Sequence, residues 1–279
     1  GGGYELALAC DHIMLIDDGS STVSLPELPL LAVLPGTGGL TRLVDKRKIR
    51  HDRADYFCTT SEGIRGKRAT DWDLVDEVIP RSKFDEAVAE RATEFASASD
   101  RPVDTEGVKL TPLNRSIKAG RIAYDTLVVD IDRDLATATI TISAPAEAPP
   151  GDISGIEAQG AAFWPFAMCR DLEDAIMELR VNEKEIGTWI FKSEGDSAFV
   201  EAADDALLAN ADHWLVREIT LFMKRTLKRV DVSSRSIITL VEPGSCFTGT
   251  LLELVFAADR SFMLEGTFES SNVPEASVV

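Results

Sequence analysis

Apolar and polar positions alternate along the first hundred residues in a way that predicts short, closely spaced elements. Leu6, Ala7, Leu8 and Ala9 follow Gly1-Gly2-Gly3, a pattern for a glycine turn that feeds backbone N–H groups into a helix. Residues 12–16 form a short apolar run that ends at the turn Asp17-Asp18-Gly19-Ser20-Ser21, which predicts a strand. From Leu25 to Leu34 the chain is apolar except for Glu27, a lone carboxylate set between Pro26 and Pro29. Pro35-Gly36-Thr37-Gly38-Gly39 then opens a helix carrying Leu40, Leu43 and Val44. Trp72, Leu74 and Val75 lead into a strand over 77–80, and Phe84, Ala87, Val88, Arg91 and Phe95 recur at helical spacing, which predicts an amphipathic helix over 84–95.

Residues 97–118 lack periodicity and contain Ser, Pro and Thr, as a linker would. Beyond them the pattern changes to strands over 121–129 and 136–142, a hairpin around the polar centre 130–134, closed by a proline-rich loop at 145–150. Helices are expected over 163–180 and 204–230, and strands over 188–191 and 236–241. The change of character has an internal explanation. Glu253-Leu254-Val255-Phe256-Ala257-Ala258-Asp259 repeats Glu5-Leu6-Ala7-Leu8-Ala9-Cys10-Asp11 at an offset of 253 − 5 = 248 residues, placing Gly249 opposite Gly1. An offset that long reads as duplication of a domain, not as a solenoid.

Composition and charge narrow the class. A chain of 279 residues with 44% hydrophobic content can bury a sizeable core, and a net charge of −18 argues against nucleic acid or an anionic membrane as the main partner. No apolar run approaches the roughly 20 residues that span a bilayer. Cys10, Cys58, Cys169 and Cys246 have no short paired spacing and read as reduced, mostly buried thiols. His12, His51 and His213 are scattered, so no metal site is expected. A cytoplasmic enzyme fits these bounds.

The candidate chemistry sits near the start. The Gly1-Gly2-Gly3 turn can present N–H donors to a developing oxyanion, and Glu27 is a carboxylate in an otherwise apolar run, a setting suited to proton transfer; a loop glutamate facing water is the structural alternative. The 35–39 turn resembles a phosphate loop but lacks the Lys-Ser/Thr ending, so it reads as a turn that lets a helix pack closely. Lys46, Arg47, Lys48, Arg50 and Arg53 read as a solvated helix face, with cofactor phosphates or a partner subunit as the alternatives.

Three successive blocks, Gly1 to Asp11, Pro26-Glu27 through Pro35-Gly36-Thr37-Gly38-Gly39-Leu40-Thr41-Arg42-Leu43, and Leu74-Val75-Asp76-Glu77-Val78, resemble the crotonase (enoyl-CoA hydratase/isomerase) superfamily over residues 1 to about 98. The second copy is similar more weakly. The resemblance implies an α/β fold, a crotonase-like ββα spiral in tandem modules, with residues 1–118 as the back part of one module plus linker and 119–279 as the front part of a second, degenerate one. It implies a lyase-type enzyme on an acyl-CoA substrate with no cofactor beyond coenzyme A as part of that substrate. Hydratase or isomerase chemistry and a noncatalytic assembly role stand as alternatives. A homo-oligomer such as a homodimer is expected.

Gly2 or Gly3 is expected to give one oxyanion donor, with Glu5 and Glu27 as the carboxylate pair that acts on water. For Glu5 the structural alternative is a helix-start carboxylate satisfied by the dipole. Two features depart from the pattern. Glu27 to Pro35 spans 35 − 27 = 8 positions, one more than expected, and the loop between Asp11 and Glu27 is also longer, so Glu27 is expected to sit displaced. The counterparts of Gly2 and Gly3 in the second copy are Thr250 and Leu251, whose Cβ atoms obstruct close approach. The chain opens inside the motif without a methionine and is expected to be a fragment, inactive alone.

Overall fold

The computed structural model describes residues 1–100, 106–269, 273 and 275–278. It divides into two compact units, Gly1–Thr105 and Glu106–Val279. That division lies upstream of position 118, the end of the expected linker, because the chain from Ser116 to Lys118 is already a strand of the second unit.

The first unit begins with α1 (Gly2–Ala9) and β1 (Met14–Asp17), followed by α2 (Glu27–Leu31), the short α3 (Gly39–Thr41), α4 (His51–Cys58), α5 (Lys67–Asp71), β2 (Glu77–Pro80) and α6 (Phe84–Ser97). β1 and β2 pair in parallel, with Leu15 opposite Val78. Leu8, Leu25, Leu43, Phe57 and Leu74 are fully buried and form one core with Tyr4. Glu27 starts a helix, so the alternative of a loop glutamate does not hold; Pro29 is tolerated there because the first turn of a helix leaves N–H groups without partners anyway. After α3 the helix continues as one wide turn over Arg42–Lys46, closed by Arg47 N–H on Arg42 O at 2.9 Å.

The basic segment is only in part a solvated face: Lys46, Lys48 and Arg50 are exposed and Arg47 and Arg53 half-buried, yet three of the five reach back to the unit. Lys46 Nζ donates to Leu8 O at 3.0 Å and Cys10 O at 2.7 Å, a cation on the C-terminal carbonyls of α1. Arg47 Nε donates to Asp73 O at 2.7 Å and its guanidinium binds Asp76, while Arg53 Nη1 donates to Asp71 O at 3.1 Å. Three of these cations therefore tie segments of the unit together. α6 has the expected helical spacing but buries no residue; Phe95 meets the His12 ring in an edge-on contact at 5.6 Å.

The second unit holds one seven-stranded sheet in sequence order: β3 (Ser116–Lys118), β4 (Arg121–Ala123), β5 (Leu127–Asp132), β6 (Thr137–Ser143), β7 (Thr188–Glu194), β8 (Ser236–Val241) and β9 (Arg260–Met263). Strands β3 to β6 are antiparallel, and β6 to β9 are parallel. The run 121–129 was expected as one strand but folds as two, since Tyr124-Asp125-Thr126 reverses the chain and Tyr124 N–H donates to Leu127 O at 2.9 Å. Parallel pairing needs crossovers, supplied by α7 (Ile153–Gln159), α8 (Trp164–Asn182), α9 (Ser197–Ala209), α10 (Trp214–Asp231) and α11 (Gly249–Ala257). The single helix expected over 204–230 is two, α9 and α10, divided at 210–213. Asp152 and Asp196 cap α7 and α9 by accepting from Gly155 N at 2.8 Å and Ala198 N at 2.9 Å. No described helix is long and apolar enough to cross a membrane.

Asp171 on α8 is buried, and its Oδ2 accepts from Thr126 N at 3.1 Å and Thr126 Oγ1 at 2.7 Å. Burial pushes its carboxyl above the ordinary range, with the Thr126 hydrogen bonds opposing the shift. A folded-state value above the unfolded one means the native state binds more protons, so this group's contribution is fully present at acid pH and is lost as pH rises through the folded value. Asp171→Asn keeps an oxygen for Thr126 and removes the charge. Thermal unfolding should therefore show the variant gaining on the wild type between about pH 3 and pH 7, either side of the carboxylate range; an unchanged difference would contradict this.

Candidate active site

The start of α1 is built to leave donors open. Gly1 is its N-cap, and Tyr4 N–H and Glu5 N–H both donate to Gly1 O, at 3.0 and 3.2 Å. Gly2 and Gly3 supply the first N–H groups of the helix, which have no intrahelical acceptor. Both residues are exposed, and a Cβ placed on either would meet nothing within 4 Å. Free N–H groups, the positive end of the helix and open space in front of them suit an incoming carbonyl oxygen. The helix itself is anchored from behind: Tyr4 is buried against Phe57 in an edge-on contact at 5.7 Å, and its hydroxyl donates to Leu74 O at 2.6 Å.

Of the two candidate carboxylates, Glu27 lies against this helix start. Glu27 Oε1 lies 3.5 Å from the Gly1 nitrogen, which itself donates to Ser24 O at 2.5 Å. The other oxygen, Glu27 Oε2, is buried and has no hydrogen-bond partner among the described residues. A buried carboxylate oxygen that no protein donor meets is open to a proton from substrate or water. Nearby Cys58 is a thiol pushed up to about 11 by burial, then by the charges of Asp55 and Glu27, which leaves it protonated and unsuited to nucleophilic attack at neutral pH.

Glu5 is held differently. Gly39 N–H donates to its Oε1 at 3.0 Å and the Thr37 hydroxyl donates to its Oε2. The expected role of the 35–39 turn, close packing of a helix, is refined here to close approach to one carboxylate: a Cβ on Gly39 would stand 2.6 Å from Glu5 Oε1. Neither Thr37 nor Gly39 was singled out by sequence reasoning, although the Gly-Thr-Gly-Gly string signalled a backbone that must approach something.

At the corresponding place in the second unit the donors are already taken. Thr250 N and Thr250 Oγ1 donate to the two oxygens of Asp204, each at 2.6 Å, and Thr248 Oγ1 donates to Glu201 at 2.9 Å. Gly249 has φ +49, and a Cβ there would stand 2.1 Å from Asp204 Oδ2. A cavity of about 750 Å³ lies beside this cluster, walled by α9, α10 and α11 and lined by Leu207, Met223, Lys224, Glu253 and Leu254 among others. Among the described residues no group of three His, Cys, Asp or Glu could hold a metal ion.

Residues 1–107 match the family model described as enoyl-CoA hydratase/isomerase. The chain is 53% identical over 273 residues to benzoyl-CoA-dihydrodiol lyase of Aromatoleum evansii, covering 98% of this chain and 49% of that protein. It thus spans about half the length of that curated relative. Among solved structures it is similar to an enoyl-CoA hydratase from Geobacillus kaustophilus, at 18% identity and TM-score 0.34 over 55% of this chain and 48% of the other. An enoyl-CoA hydratase/carnitine racemase from Magnetospirillum magneticum gives 19% identity and TM-score 0.35 over 51% and 48%. The part of the chain that matches the enoyl-CoA hydratase/isomerase family is thus residues 1–107, which hold the glycine turn and helix start described above.

Proposed function

We propose that the full-length protein is a CoA-thioester lyase that opens the ring of benzoyl-CoA dihydrodiol, the hydrate of 2,3-epoxybenzoyl-CoA, and releases formate. The observation that carries this reading is the 53% identity to benzoyl-CoA-dihydrodiol lyase across nearly the whole chain. It is supported by the open helix start at Gly2 and Gly3 and by the unpartnered Glu27 Oε2 beside it. Counted from the epoxide, two waters enter: one forms the diol, the other is consumed as one ring carbon leaves as formic acid, and the product is an open-chain semialdehyde thioester.

In this reading the thioester carbonyl oxygen takes the Gly2 or Gly3 N–H, which stabilises the charge that develops on it. Glu5 and Glu27 divide the proton and water handling between them. The second copy acts as a structural partner, supported by the capture of Thr250 N–H by Asp204. Coenzyme A enters as part of the substrate, and a cytoplasmic homo-oligomer belongs to the same proposal.

The test is turnover by purified full-length protein with two substrates. Formate and an open-chain thioester from the benzoyl-CoA epoxide or diol, with little hydration of crotonyl-CoA, is the expected result. The reverse pattern would make it an ordinary enoyl-CoA hydratase, and failure to bind any acyl-CoA in calorimetry would leave an assembly role.

A further inference from the structure

Both oxygens of Glu5 are engaged by one turn of chain. Oε1 accepts from Gly39 N and Oε2 from the Thr37 hydroxyl, residues 34 and 32 positions away. The turn is itself fastened, since Arg42 Nη1 donates to Thr37 O at 3.3 Å and Pro35 and Gly39 are buried. Gly38 has φ +101, the left-handed conformation that lets the Thr37 hydroxyl and the Gly39 amide point to the same carboxylate. Glu27 has no such clamp: among the described residues its Oε2 meets no donor.

We propose that Thr37 is a positioning residue, which together with the Gly39 amide locks the carboxylate of Glu5, a residue of the helix that the glycine turn opens, in one orientation. This deepens, and rests on, the acyl-CoA reading of that site. A carboxylate held at both oxygens cannot swing, so its remaining lone pairs keep a fixed aim. Orientation of this kind is worth much in rate, as a misplacement of about 1 Å can cost on the order of 10²-fold. The hydroxyl matters because a threonine methyl alone cannot hold Oε2. The glycine matters because any Cβ at 39 displaces Oε1.

The experiment uses the full-length protein with its acyl-CoA substrate. Thr37→Val, which keeps the shape and loses the donor, should lower kcat about 10- to 100-fold with KM nearly unchanged, and Thr37→Ser should restore it. Gly39→Ala should lower kcat similarly. In a Glu5→Gln background Thr37→Val should add little, because its effect passes through Glu5. Equal activity of the Val and Ser variants, or a full additional loss in the Glu5→Gln background, would overturn the proposal. A readout without turnover is the Gly39 amide resonance, expected to move in both Thr37→Val and Glu5→Gln; an amide indifferent to both sinks the clamp even if the protein proves inactive on every thioester. Loss of activity in Glu5→Gln with wild-type behaviour of Thr37→Val would sink this inference alone and leave the proposed function standing.

Discussion

Glu27→Gln lowers kcat of the full-length protein on its thioester substrate by about 10²–10⁴, the range that a positioned general acid or base contributes, and leaves KM within a few-fold. The reasoning starts from Glu27 Oε2, a buried oxygen without a partner. Glutamine preserves the shape of the side chain, so KM should change little. It replaces a group that can exchange a proton with an amide that cannot. Glu5→Gln is expected to fall in the same range with an added component: its amide nitrogen presents a donor to one of two donors, Gly39 N–H or the Thr37 hydroxyl, so the clamp is half broken. If the two carboxylates act as a unit, the double variant is barely worse than either single one, since effects within such a unit do not add. Steady-state kinetics of the three variants decide this. Full turnover in both single variants would remove the carboxylates from the mechanism.

What could be read in advance was what a short stretch of sequence contains by itself. Three glycines before an apolar helical run can be placed without coordinates, because glycine's freedom and the unpartnered N–H groups of a helix start are local properties. Glu27 stood out because a carboxylate in an apolar run is anomalous wherever it lies. The Thr37–Glu5 contact could not be read, as it joins residues 32 apart through a hydroxyl that looks like any loop threonine. The same limit explains Lys46 and Arg47, which resembled a solvated basic face until the carbonyls they serve came into view. In the second unit, strand β8 was placed at 236–241 as found, yet the helix break at 210–213 was missed because Asn-Ala-Asp-His contains neither glycine nor proline. The turn at Tyr124-Asp125-Thr126 was likewise hidden inside a run of apolar residues on both sides.

Gly249→Ala should be the most damaging single methyl in the second unit, lowering stability by about 3 kcal/mol. Two costs combine. A left-handed backbone conformation costs an L-residue roughly 1–2 kcal/mol, and Gly249 sits at φ +49. The new Cβ would also stand 2.1 Å from Asp204 Oδ2, so the carboxylate must leave the Thr250 N–H and hydroxyl it now satisfies. Hydrogen bonds to a charged group are worth about 1.5–3 kcal/mol. For a unit of this size each kcal/mol moves the midpoint by about 2–4 °C, so thermal unfolding should show a fall of about 6–12 °C. Asp204→Ala, which loses the cap without straining the backbone, should cost about 0.5–2 kcal/mol. A glycine-to-alanine substitution at Gly3 in the first unit is the contrast: its Cβ meets nothing within 4 Å, so the midpoint should hold while turnover falls, because the obstruction lies on the face that a thioester oxygen must approach. A thermally silent Gly249→Ala would mean that Asp204 does not hold the helix start of the second copy. A fully active Gly3→Ala would move the oxyanion contact away from the glycine turn.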